Sequence, residues 1–122
     1  MLERNDNGVT RILVVDDEPW SVKFISSFLR KEGYEVTEAS DGAEAIELID
    51  NSRFDLVLSD IRMPRVDGVS LAVHVRSREP TIPIILMTGV PADLTAMLGY
   101  NVPCMSKPLS LDDLRSNILR LL

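Results

Sequence analysis

Residues 12–15, Ile-Leu-Val-Val, form an unbroken apolar run that stops abruptly at Asp16-Asp17. Apolar residues without polar alternation mark a strand buried on both faces, and such strands belong to parallel sheets covered by helices on either side. The period then changes. Pro19 suits a first helical turn, and Val22, Ile25, Phe28 and Leu29 recur at helical spacing until Gly33. Residues 35–38 read as a short strand, and residues 43–50 as a helix with Ala45, Ile46 and Ile49 on one face. A third strand at 56–59 ends at Asp60, and after a turn-rich stretch a helix over 69–78 presents Leu71, Ala72 and Val75 inward. Pro80 and Pro83 precede a fourth strand at 84–87, which runs into Thr88 and Gly89. A short apolar helix at 93–98, a brief strand at Cys104-Met105 and a helix carrying Leu111, Leu114, Ile118 and Leu121 complete the pattern. Strict alternation of five strands and five helices implies a three-layered α/β fold with a parallel sheet and right-handed crossovers.

The 122-residue length fits one domain with one sizeable core, preceded by a polar, aperiodic leader at 1–10, so that the folded domain spans 11–122. A formal charge of −6 leaves no cationic stripe to displace phosphate counterions, which excludes sequence-independent nucleic-acid binding. The lone Cys104 cannot form an internal disulfide, and residues 1–10 lack the apolar core of a secretory signal. No apolar run approaches the roughly 18 residues of a membrane span. A cytoplasmic domain is expected.

In doubly wound sheets, side chains at the carboxyl ends of strands converge where strand order reverses. Four of the five strands end in polar residues that burial does not explain: Asp16 and Asp17, Asp60, Thr88 and Lys107. If the first and third strands are neighbours, Asp17 and Asp60 face each other across one strand spacing of roughly 5 Å. Carboxylates that close repel one another unless a cation neutralises them, and an all-oxygen set with positions left for water and phosphate suits Mg²⁺. Lys107 adds a compact positive charge and Thr88 a hydroxyl, completing a phosphoryl site. A carboxylate can itself be the nucleophile and form an acyl phosphate. Asp60, alone at its strand end before a turn, is the candidate; Asp16 and Asp17 are then metal holders.

Val14-Val15-Asp16-Asp17-Glu18-Pro19, Asp60-Ile61-Arg62-Met63-Pro64 with Asp67-Gly68, Met87-Thr88 and Lys107-Pro108 together resemble the receiver domain of two-component response regulators. The resemblance covers nearly the whole chain and implies a CheY-like, flavodoxin-like sheet of order 2-1-3-4-5. It implies that Asp60 accepts a phosphoryl group from a histidine kinase or phosphotransfer protein. By the same likeness, Asp17, Asp60 and the main-chain carbonyl of Arg62 would bind Mg²⁺ directly, with Asp16 acting through water. Thr88 would be the switch hydroxyl, Lys107 the phosphate-binding cation, and the Lys107-Pro108 bond cis. The resemblance also implies an autocatalytic phosphoacceptor rather than a turnover enzyme. Its output would pass to a downstream protein effector or a C-terminal output domain, with a homodimer as one form.

Two departures bear on output. Cys104 occupies the position where the family usually carries a rotating aromatic residue, and the Thr88–Lys107 interval is short, so the fourth helix must be abbreviated. Blander readings exist for each residue. Asp16-Asp17 could cap the first helix, Asp60 could form a turn, and Lys107 could be a surface cation. His74 reads as a surface or partly buried helix histidine, Trp20 as packing, Cys104 as a small buried residue, and Asp41-Gly42 and Asp67-Gly68 as turns. Rival functions are a Mg²⁺-dependent aspartyl phosphatase, opposed by Arg62 where a second acid is needed, and an interaction module that no longer uses phosphorylation. A flavin-binding relative is opposed by the acidic loop after the first strand.

Overall fold

The structure, a computed structural model, describes residues 8–97 and 102–122. The chain alternates β1 (Arg11–Val15), α1 (Pro19–Lys31), β2 (Glu35–Ala39), α2 (Gly42–Asn51), β3 (Leu56–Asp60), α3 (Gly68–Arg78), β4 (Ile84–Thr88), α4 (Pro91–Ala96), β5 (Cys104–Ser106) and α5 (Leu111–Leu121). The strands form one parallel sheet of order β2-β1-β3-β4-β5. The reversal of winding falls between β1 and β3, whose register pairs Val15 with Ser59 and so brings Asp16 and Asp60 to the same rim.

Alternation along each strand divides the core in two. Leu13, Val15, Val57, Ile84 and Leu86 pack with Ile49, Leu71 and Val75 from α2 and α3. Ile12, Val14, Leu58, Ile85 and Met87 pack with Ile25 and Leu29 from α1 and with Leu114 and Ile118 from α5. The central strands β3 and β4 are buried along their whole length, while edge strand β2 shows only Ala39 fully buried. This is the three-layered architecture expected from unbroken apolar runs flanked by amphipathic helices.

Local details differ from the sequence expectations at several points. Asp41 and Asp67 do more than turn the chain: each accepts a hydrogen bond from the backbone N–H three residues on and caps α2 or α3, with glycine as the first helical residue. Gly68 has a second reason to be glycine. A Cβ there would overlap the carbonyl oxygen of Asp60, so the start of α3 rests directly on the end of β3. Trp20 does not pack; it is 66% exposed, its indole N–H donating to Glu18 at 3.1 Å. Cys104 is partly rather than fully buried. His74 is half-buried on α3, 2.8 Å from Asp50. The fourth helix has only six residues, none of them buried, and starts at Pro91 rather than Asp93. Leu98, where it was expected to end, and most of the leader, residues 1–7, lie outside the described residues. Lys107-Pro108 is cis.

Candidate phosphoryl site

Because β1 and β3 are neighbours, their ends bring together acids far apart in the chain. Asp16, Asp17 and Asp60 each offer a carboxylate oxygen within 4.8 Å of the others. Asp16 is wholly buried, and its lone pairs are occupied from three directions. The Glu18 N–H donates to it at 3.0 Å, the Ser21 hydroxyl at 2.8 Å and the Lys107 ammonium at 2.6 Å. Asp16 thus organises the turn into α1, but its side chain is not the helix cap, a position held by Glu18. Asp17 is exposed.

Lys107 is no surface cation. Its side chain is 16% exposed, and its ammonium reaches Asp60 at 3.4 Å and Glu18 at 3.6 Å besides Asp16. Burial pulls the ammonium toward neutrality, but the hydrogen bond and charge of Asp16, with Asp60 and Glu18, outweigh it and hold the pKa above that of an ordinary lysine. Asp60 shows the opposite balance. Burial pushes its pKa up to about 6; Lys107 pulls it down, while the charges of Asp16 and Asp17 add to the rise. Three clustered carboxylates against one ammonium leave an excess of negative charge, and a divalent cation on hard oxygen ligands would cancel it. The donor set fits Mg²⁺.

The Thr88 hydroxyl and the Arg62 guanidinium are engaged outside this cluster. Along β4, Thr88 continues the row of Leu86, facing α2 and α3, whereas Asp60 continues the row of Leu58, facing α1 and α5. The Thr88 hydroxyl accordingly donates to Asp93 at 2.7 Å, and the Val90 N–H donates to it at 3.0 Å. The Arg62 guanidinium grips both oxygens of Asp93, at 2.8 and 3.0 Å. The hydrogen bond from Arg62 and that from Thr88 hold the Asp93 carboxyl below the usual carboxylate range. Sequence reasoning gave no site role to Asp93 or Ser21 and took Gly68 only as part of a turn and a family motif. A lone acid in a short helix, a serine and a second Asp-Gly pair carry little signal of their own, although Asp93 lies only five residues after Thr88.

A family profile for the response regulator receiver domain matches residues 12–119. The chain belongs to that family. This receiver domain is 41% identical over 114 residues to the transcription factor SKN7 of Saccharomyces cerevisiae, covering 91% of this chain and 18% of that protein. It is 33% identical over 120 residues to the sensor histidine kinase RcsC of Escherichia coli, covering 93% of this chain and 12% of RcsC. The receiver domain therefore spans less than a fifth of either relative. Among solved structures it is similar to the response regulator protein TrrA of Thermotoga maritima in complex with Mg²⁺ and BeF, with a TM-score of 0.85 and 32% identity. That likeness covers 93% of this chain and all of the other. Sheet order, helix count and acidic pocket are those of a CheY-like receiver.

Proposed function

We propose that Asp60 is the phosphoacceptor of this receiver domain, taking a phosphoryl group from the phosphohistidine of a kinase or phosphotransfer protein. The observation that carries this reading is the convergence of Asp16, Asp17, Asp60 and Lys107 at one rim of the sheet. A carboxylate oxygen of Asp60 attacks phosphorus as the P–N bond breaks. The electron pair of that bond stays on the leaving imidazole nitrogen, which takes up a proton from solvent. Lys107, already 3.4 Å from Asp60, lies ready to hold a phosphoryl oxygen and to neutralise charge that accumulates there. Asp16 anchors Lys107 and orders the β1–α1 turn, so that the ammonium is preorganised. Asp17, Asp60 and the Arg62 carbonyl would hold Mg²⁺ directly, with Asp16 acting through water. The ion would supply positive charge to the phosphoryl oxygens. Attack of water on the acyl phosphate breaks the O–P bond, releases inorganic phosphate and restores the carboxylate. The domain is thus a self-modifying signalling element, not a turnover enzyme, and its output goes to a protein effector or to a domain carried with it.

Incubation with Mg²⁺ and acetyl phosphate should add a single phosphoryl group to the native chain, read by intact mass, and none to Asp60→Asn. An unmodified native chain, or an equally modified Asp60→Asn, rejects the assignment. Steady turnover of phosphomonoesters in excess of protein would favour the phosphatase instead.

A further inference from the structure

The hydroxyl proton of Thr88 is already committed. It goes to Asp93, whose other contacts are the two arms of the Arg62 guanidinium. Arg62 sits two residues beyond Asp60, and Asp93 sits in the first turn of α4, so three side chains tie the end of β3 to the end of β4 and to α4. The tie matters because none of residues 91–96 is buried; among the described residues of this segment, Met97 at the helix end packs against the core below. Asp93 is well shielded for a residue on so exposed a helix, its side chain only 14% accessible. Cys104, next along the sheet edge, is too small to act as a swinging gate.

We propose that Asp93 is a positioning residue for phosphoryl transfer, withholding the Thr88 hydroxyl from Asp60 until a phosphoryl group competes for it, and that the exchange loosens α4. This rests on Asp60 being the phosphoacceptor. A threonine hydroxyl has one proton to donate, so it serves either Asp93 or a phosphoryl oxygen. The charge of Asp93 is already met by Arg62, whereas a new phosphoryl group brings three acceptor oxygens, more than Lys107 and a metal ion would fully engage. Once Thr88 turns away, the Arg62–Asp93 pair is the side-chain tie left at the start of α4, and with its arginine exposed it is a weak tether. The signal then leaves through a polar exchange at α4, in a chain that lacks the aromatic residue.

Four forms of the 122-residue chain test this: native, Asp93→Ala, Thr88→Ala and the double variant, each given limiting acetyl phosphate with Mg²⁺ and followed by intact mass. Asp93→Ala should accumulate phosphorylated protein faster than native by roughly three- to tenfold, the net worth of one ordinary hydrogen bond removed from the competition. In the Thr88→Ala background the same substitution should change nothing, because the hydroxyl it controls is gone. Amide exchange over residues 91–96 should speed up in unphosphorylated Asp93→Ala and in phosphorylated native protein alike. An unchanged or lower rate in Asp93→Ala, or a gain that persists without the hydroxyl, overturns the proposal. If Asp93→Ala fails to fold, Asp93→Asn, which keeps an oxygen but loses the charge, carries the same comparison, and equal rates there overturn it. A native chain that takes up no phosphoryl group at all fails the phosphoacceptor assignment itself, a distinct result.

Discussion

Asp60 illustrates how one carboxyl can be both strained and useful. Its pKa in the folded protein is about 6, above the ordinary aspartate value of 3.8 that the unfolded chain should show. Between those two values the folded state binds the proton more tightly than the unfolded state does. The resulting stabilisation is complete below about pH 4 and lost as pH rises through about 6. Its size is about 1.4 kcal/mol per pKa unit, or roughly 3 kcal/mol over the whole shift. In EDTA, Asp60→Asn should therefore be more stable than native by roughly 1–3 kcal/mol at pH 7.5 and gain little near pH 4; urea denaturation at both pH values reads the difference, and equal gains at both would refute it. Phosphorylation needs the ionised form, and Mg²⁺ held by Asp60 favours that form, so in its presence the rate should rise at a pH below about 6. Lys107→Met makes the opposite test, because it leaves the fully buried Asp16 without its cation. A loss of about 3 kcal/mol or more at pH 7 is expected, as for one partner removed from a buried pair, with partial recovery on adding Mg²⁺.

At the level of elements, the contact between α3 and β3 sets where the acceptor sits. The Gly68 N–H donates to the Ile61 carbonyl at 2.8 Å, and its bare Cα lies against the Asp60 carbonyl. Gly68→Ala should force these apart, lowering stability by roughly 1–3 kcal/mol and slowing phosphorylation. Thermal melts and intact mass measure the two effects, and a variant matching native in both would disprove the close approach. The same elements show what was legible beforehand. β1, β3 and β4 announce themselves because they are apolar on both faces, and the helices because Val22, Ile25 and Leu29, or Leu114 and Ile118, repeat at helical spacing. The strand order could not be read from periodicity; it came from the likeness of the motifs to a known family. Asp16 was legible because a charge ending an apolar run is conspicuous, and Asp60 and Lys107 because they fall at the ends of strands and in motifs similar to the family's. The partnership of Thr88 with Asp93 was not, since it depends on which sheet face Thr88 continues and on a bidentate arginine across a loop.

For the molecule as a whole, the acidic rim would couple ion binding to global stability. Mg²⁺ at about a hundred times its Kd should add about 2.7 kcal/mol, a rise in Tm of roughly 10 °C for a domain of this size. Asp17→Asn should abolish most of that rise, since Asp17 is one of the three acids and is exposed to the ion's approach. A native Tm indifferent to Mg²⁺ would count against the ion.

The placement of Asp60 on β3 has a wider meaning. That strand is hydrogen-bonded on both sides and buried at every residue, so the acceptor cannot retreat when it is modified. On the proposed exchange, deformation shows up instead on α4, the six-residue helix without buried residues that lies by β4 and β5. On that reading, acceptor chemistry fixed to an inner strand and messaging passed to a helix without buried residues would be separable under selection: the listener's side could be rewritten many times while the acceptor chemistry stayed untouched.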